Sequence, residues 1–161
     1  FSIGNTETVV ASAVRRAVRA GEPEAVPRIS DLPSVLQSST GRVEFEAFEE
    51  GREADILGRM LRQASLDTFR RRLAGIDIVP LQQRFDEGLS LETGEMVSAD
   101  RVLEQIGQFP GLAKAMQRLG IEEESPALAA AVIEFVLEGM HLSKRLNKAA
   151  SGEGRVRYAG E

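Results

Sequence analysis

Residues 125–146, SPALAAAVIEFVLEGMHLSKRL, carry both a helix start signal and apolar residues at helical spacing. Ser125 followed by Pro126 is a typical helix start, because a serine side chain can cap free backbone N–H groups and proline fits the first helical position. The large apolar residues that follow recur at helical spacing: they are Leu128, Val132, Phe135, Leu142 and Leu146. The sequence therefore predicts one helix over the whole stretch.

Earlier parts of the chain carry helical periodicity as well. The first segment ends at Gly21, and its apolar face is predicted to comprise Val9, Val10, Ala13, Val14, Ala17 and Val18. The longest helix is predicted from Glu49 to about Leu73, with a buried stripe of Ile56, Leu57, Met60, Leu61, Ala64 and Phe69. Shorter helices are predicted to begin near Ser30, Ile78, Ser98 and Leu112. These segments together predict an all-α fold.

Two segments lack this helical pattern. Residues 89–97 contain Glu92-Thr93-Gly94-Glu95, which favours either a tiny hairpin or an extended loop. Beyond Ala150 the chain becomes polar and contains glycines, so residues 149–161 are predicted to fray as a flexible basic tail.

Composition narrows the class of protein. The 161 residues are 42% hydrophobic and 28% charged, as in ordinary globular domains. The absence of cysteine excludes disulfides, thiolate metal sites and a cysteine nucleophile. No signal peptide and no apolar stretch of about 20 residues is present, which excludes a membrane helix and favours the cytoplasm. The net charge of −5 argues against a nucleic-acid partner.

No catalytic, cofactor-binding or metal-binding residues are predicted. The sequence has no G-x-x-x-x-G-K-[ST] phosphate loop, and Gly152-Glu153-Gly154 has no following helix to present backbone N–H groups to phosphate. His141 is the only histidine, and its Glu-x-x-His pattern with Glu138 occurs once where a di-iron bundle needs two copies. A nucleophile elbow of the form G-x-S-x-G is absent as well.

Charge clusters are the remaining candidate sites. The possible partner-binding residues are Lys144, Arg145, Lys148, Arg155 and Arg157. These cations fit an acidic partner or a phosphate backbone, but also a helix C-terminus, which favours positive charge by itself. The acidic stretch Glu44–Asp55 likewise suits either a solvated helix start or a docking surface. Arg70, Arg71 and Arg72 point in different directions and are interpreted as a helix end.

Some of these segments resemble a known family. Thr6–Ala17, Gly21-Glu22 and Pro27–Leu32 resemble the last helices of an AAA+ lid, and in more detail the magnesium-chelatase-like (subunit I-type) branch of AAA+ ATPases. The strings Gly41–Glu53 and Leu137–Lys148 are similar to bacterial, particularly actinobacterial, members of that branch. The resemblance implies the C-terminal part of a longer protein, and a start at Phe1 without methionine fits that expectation.

The resemblance also implies a domain plan and a function. Residues 1–40 would be the C-terminal helices of the lid, 41–48 a linker, and 49–148 a helical interaction domain. ATP and Mg²⁺ would be bound upstream, because this chain lacks the phosphate loop, and the region would couple ATP turnover to partner remodelling. Its partners would be the upstream AAA+ core, neighbouring ring subunits and a protein target. The alternative is a helical nucleic-acid-binding or transcription-regulatory domain that uses the basic tail.

Overall fold

The computed structural model describes residues 2–39, 52–121 and 125–160. These ranges contain seven α-helices: α1 (Ser2–Ala20), α2 (Ser34–Ser39), α3 (Glu53–Arg72), α4 (Val79–Asp86), α5 (Ala99–Gln105), α6 (Pro110–Arg118) and α7 (Pro126–Leu142). They also contain three strands, β1 (Ser90–Thr93), β2 (Asn147–Gly152) and β3 (Arg155–Ala159), and two 3₁₀ turns, Ile29–Asp31 and Ile106–Gln108. None of the helices in these ranges has both the length and the apolar character needed to cross a bilayer.

The all-α prediction is wrong, because the chain also forms a three-stranded antiparallel sheet in the order β1–β3–β2. Residues 147–159, which include most of the tail predicted to fray, make two of its strands. Tyr158 lies opposite Leu91 of β1 and Lys148 of β2, and it is almost fully buried. Burying this aromatic ring against the helices stabilises the terminal hairpin, since two strands alone are marginal in water.

Two local predictions change with the sheet. Ser90–Thr93 neither folds back as a hairpin nor remains a loop; it becomes β1 and pairs with a strand some 60 residues later. Helix α7 stops at Leu142 and does not continue to Leu146, because the chain turns at Lys144, whose φ is +58°, and enters β2. The terminal strands therefore use residues that the sequence assigned to a helix and a tail.

Helix α7 is the centre of the core. It contacts α3, α5 and α6, and almost all of its residues between Ala127 and Met140 are buried. Phe85 and Phe109 pack together beside it with ring centroids 4.7 Å apart. Ser125 accepts a hydrogen bond from the backbone N–H of Leu128, so the predicted cap of this helix is confirmed.

Helix α3 packs against α7 through Phe69 in its C-terminal half. A Cβ on Gly139 of α7 would lie 2.0 Å from the Phe69 ring, so this glycine allows the two helices to touch. The predicted buried stripe of α3 is therefore only partly right. Phe69 is buried and Ile56, Leu57 and Leu61 are half-buried, whereas Ala64 is exposed and Met60 is 62% exposed. The predicted start at Glu49 falls outside the described residues.

The predicted apolar face of α1 is also partly wrong. Ala13 and Ala17 are buried as expected, but the buried face includes the polar residues Ser12 and Arg16. Val10, Val14 and Val18 are exposed, although they neighbour Ala13 and Ala17 on the helix surface. The helix thus buries the polar pair Ser12 and Arg16 and leaves these valines exposed.

Candidate functional site

Four charged residues, Arg16, Glu22, Arg28 and Asp31, hold α1 against the segment that follows it; we call them the ion network. Asp31 Oδ2 accepts hydrogen bonds from Arg16 Nε at 3.2 Å and Nη2 at 3.1 Å. Arg16 Nη1 lies 3.1 Å from Glu22, and Nη2 donates to the carbonyl of Val26 at 2.6 Å. Each charge is therefore matched by an opposite charge, as a buried ion requires.

Arg28 extends the ion network toward α5. Its Nη1 donates to the carbonyl of Val97 at 2.8 Å, and its Nη2 pairs with Glu22 at 2.8 Å. Glu22 in turn accepts from the backbone N–H of Ala99, the first residue of α5, at 2.7 Å. Burial, followed by the charge of Arg16, lowers the pKa of Arg28, while Glu22 opposes this effect. The ion network therefore connects α1 directly to the start of α5.

Glu134 of α7 makes a second connection to the N-terminal segment. One carboxylate oxygen accepts from both the backbone N–H and the hydroxyl of Ser30, each at 3.1 Å. The other accepts from the backbone N–H of Gly94, just after β1, at 3.1 Å. A buried carboxylate with three donors is well satisfied, so Glu134 joins the 3₁₀ turn, α7 and the sheet at one point.

The outer face of α1 carries four exposed apolar residues, Ile3, Val10, Val14 and Val18, which we call the α1 stripe. Ile3 and Val18 are 75% and 76% exposed, and the two valines between them are nearly half exposed. The spacing of seven, four and four residues places all four on one helical face, over about 22 Å at 1.5 Å per residue. Arg15 and Arg19 are exposed beside it. This pattern is typical of a surface that contacts another macromolecule.

A cavity of about 450 Å³ lies apart from α1, since none of its lining residues belongs to that helix. It is bounded by the N-terminal half of α3, the segment from Ile29 to Leu36, the inner face of the sheet and the Glu134–Glu138 turn of α7. Gly58, Ala150 and Gly152 are among its lining residues, and their small side chains leave space that larger residues would fill. The volume is within the range of small-molecule sites, roughly 300–1,000 Å³.

The deep end of the cavity contains a buried carboxylate, Glu138. Its Oε2 accepts hydrogen bonds from Lys148 Nζ and from the Tyr158 hydroxyl, both at 2.7 Å. No described residue donates to its Oε1, and the side chain remains 10% exposed. Burial, reinforced by the Glu138 charge, raises the pKa of Tyr158 far above its ordinary value, so the hydroxyl stays protonated as a donor.

The five cations predicted to bind a partner do not form one surface. Lys148 is on the inner face of the sheet, where it pairs with Glu138 and lies 5.6 Å from the centroid of the Tyr158 ring. Arg157, on the opposite face, is across from Glu92 in the register, and Arg155 lies 3.7 Å from the same carboxylate. Lys144 and Arg145 are exposed in the turn after α7. Their role in partner binding stays a prediction.

His141 has a local structural contact. Its Nδ1 lies 3.0 Å from the backbone carbonyl oxygen of Leu146, across the turn that leads into β2. Among the described residues, no group of three or more acids and histidines is close enough to hold a metal ion. Gly152 and Gly154 flank the turn between β2 and β3 and precede no helix, so they do not fit the phosphates of ATP.

The residues that dominate the structure were not singled out from the sequence. The sequence predicts only a helix start near Ser30, and neither Arg28 nor Glu134 is among the predicted site residues. The sequence does contain one sign of the ion network. Ser12, which donates to Asp31, and Arg16 are four residues apart, so the two polar side chains share a helical face. Comparison with protein-family models, with curated proteins and with solved structures gave no match.

Proposed function

We propose that this chain is the interaction and regulatory region at the C-terminal end of a magnesium-chelatase-like AAA+ ATPase. In this proposal it couples ATP binding and hydrolysis in an upstream core to remodelling of a protein partner in the cytoplasm. The observation that carries the proposal is the α1 stripe. The proposed occupant of the stripe is the AAA+ core of the same or a neighbouring ring subunit.

The composition of the outer face of α1 supports a protein partner. Exposed valines beside Arg15 and Arg19 suit a partner surface that combines apolar residues with acids. A nucleic acid would instead require a concentrated basic surface, and the C-terminal cations are divided between both faces of the sheet. The alternative as a nucleic-acid-binding domain is therefore supported less well.

The contacts behind α1 support the regulatory part of the proposal. The ion network joins α1 to the start of α5, and Glu134 joins the following turn to α7 and β1. These bonds are short and buried, so α1 and the segment after it would move with the core as one body. A displacement of α1 by an ATPase core would thus be passed to the rest of the chain as a rigid-body movement.

The test is the triple substitution of Val10, Val14 and Val18 to serine in the full-length protein. We expect ring assembly with ATP, measured by light scattering, or the ATP hydrolysis rate to change by about fivefold or more, the lower range of allosteric coupling. Arg19→Gln is the matched control at an exposed position of the same helix, since it retains every apolar side chain of the stripe.

The proposal is contradicted if the triple variant assembles and hydrolyses ATP like the wild type. A second arm removes residues 44–161 from the full-length protein. Unchanged hydrolysis, assembly and partner binding in that truncation would contradict a coupling role for the helical region as a whole. The thermal unfolding of the isolated chain carrying the triple substitution shows whether a loss arises from misfolding.

A further inference from the structure

The cavity between α3 and the sheet carries an inference that is independent of the α1 stripe. We propose that it binds a small amphipathic organic anion, with an apolar body and a hydroxyl or amine donor at the end opposite its anionic group. The donor would face Glu138 at the deep end, and the anion would face Arg62 at the mouth. The ligand would thus lie along the cavity with its polar groups at the two ends.

At the deep end, one of the two Glu138 carboxylate oxygens is free to accept a hydrogen bond from a ligand. Glu138 Oε2 already accepts from Lys148 and Tyr158, whereas Oε1 has no donor among the described residues. The residue as a whole is only 7% exposed, and it lines the cavity. An acceptor so placed gains from a donor brought by a ligand. Because Lys148 already balances the carboxylate charge, a neutral donor is sufficient there.

The middle of the cavity is apolar on several sides. Leu32 and Leu36 line one wall, Leu61 lines the opposite wall, and Val156 and Ala150 lie on the inner face of the sheet. Ala150 is exposed although it shares that face with buried Tyr158. An apolar body placed here would cover surface that the described part of the chain leaves open, which favours binding.

The mouth carries one guanidinium, that of Arg62, without an ion pair among the described residues. Arg62 is exposed, has no partner among the described residues and lies close to Gly58, with Nη1 3.4 Å from where a Cβ would be. Arg155 also lines the cavity, but it pairs with Glu92 at 3.7 Å. Glu95 is a further lining residue. A guanidinium such as that of Arg62 can bind a carboxylate, sulfonate or phosphate through two N–H groups, which favours an anionic group on the ligand.

The probe for this site is 2-(p-toluidino)naphthalene-6-sulfonate, which has an apolar body, an N–H donor and a terminal sulfonate. We expect its fluorescence to rise on binding with a stoichiometry of one per chain. Ala150→Leu fills the cavity from the exposed edge strand and should abolish that binding. A double substitution of Val14 and Val18 to serine should leave it unchanged, which separates this site from the α1 stripe.

Two further variants test the ends of the site. Arg62→Gln should lower the affinity for the sulfonate probe by about tenfold, as expected when a charge-assisted pair is lost. The same variant should bind N-phenyl-2-naphthylamine, which lacks the sulfonate, with unchanged affinity. Arg59→Gln is the matched control, because Arg59 is exposed on the same helix and does not line the cavity.

Glu138→Gln tests the donor end. Lys148 and Tyr158 both need an acceptor, so the amide oxygen should face them and the NH₂ group should face the cavity. The sulfonate probe should then bind about fivefold more weakly, since its N–H would meet another donor. Absence of binding to the wild type, or equal binding to Ala150→Leu, would overturn the proposal. If Arg62→Gln weakens the binding of both probes equally, or of neither, the ligand is not selected by its anionic group and that part of the proposal is overturned.

Discussion

Helices α1 and α7 are of similar length but are held in opposite ways. Helix α7 is apolar nearly all round and lies in the core, where Ile133, Val136 and Leu137 have no exposure. Helix α1 buries Ser12 and Arg16 among alanines and exposes its valines. One helix is fixed by removing apolar surface from water, and the other by ion pairs and hydrogen bonds.

This difference bears on function. Helix α7, at the centre of the core, leaves little surface for another molecule beyond Glu134 and Glu138, which line the cavity. A helix anchored by polar contacts keeps its apolar side chains available for a partner. The price is sensitivity, because each buried charge depends on its neighbours remaining in place. The two helices should therefore respond to substitution in different ways.

The largest expected effect on stability comes from breaking the ion network that holds α1. Asp31→Ala removes the acceptor for Arg16, for the Ser12 hydroxyl and for the backbone N–H of Arg28, and leaves these donors buried. We expect a loss of about 3–5 kcal/mol in the free energy of unfolding, the usual cost of breaking a buried ion pair. Urea unfolding at neutral pH measures it.

The matched control for this substitution is Glu104→Ala. Its partner Arg101 lies 2.7 Å away, but both side chains are more than 60% exposed. An exposed pair of this kind contributes about 0–1 kcal/mol. Equal losses in the two variants would show that burial does not distinguish the ion network from an ordinary surface pair.

A smaller effect is expected where α7 meets α3. Gly139→Ala places a methyl group 2.0 Å from the Phe69 ring, so the helices must separate. Overpacking should cost about 1–3 kcal/mol in the free energy of unfolding, even though alanine favours the helix itself. Gly107→Ala is the control, since a Cβ there has no neighbour within 4 Å. A stabilised Gly139→Ala variant would contradict close packing at this crossing.

The third effect depends on pH. The pKa of Tyr158 is raised in the folded state, so above its ordinary value near 10 the unfolded chain releases a proton that the folded chain retains. Stability from this group is complete below about pH 10 and then falls by about 1.4 kcal/mol per pH unit. Tyr158→Phe should lack this fall, as measured by urea unfolding at pH 8 to 11. If the free energy of unfolding falls equally with pH in the wild type and in Tyr158→Phe, the tyrosine is not held buried and protonated.

The helices were more predictable than the sheet, for a physical reason. Caps such as Ser98 and Ser125 act within three residues, so their hydrogen bonds to Arg101 and Leu128 follow from local sequence. Strand β2 contains no β-branched residue, and its backbone pairs with β3, which also pairs with distant β1. Pairing between distant segments has no local pattern, so the sheet was missed.

The candidate sites were hidden for a related reason. The Glu134–Ser30 contact joins residues 104 positions apart, and the cavity is bounded by five separate segments of the chain. Basic residues close together in sequence were expected to act together, but strand alternation places Lys148 and Arg157 on opposite faces. The sequence shows the row of valines on α1. It does not show which side of the helix faces the core, because that depends on the contact between Arg16 and Asp31.

The smallest expected effect is on the α1 stripe itself. In the isolated chain, Val14→Ser and Val18→Ser should each change the free energy of unfolding by less than about 0.5 kcal/mol, since exposed residues contribute little and serine and valine have similar helix propensities. Ala17→Ser, on the buried face of the same helix, is the matched comparison and should cost more, because a hydroxyl there is removed from water. Urea unfolding of the three variants measures the difference. A large loss at Val18 would mean that the stripe packs within this chain, and the contrast between an apolar core helix and a polar-anchored docking helix would then fail.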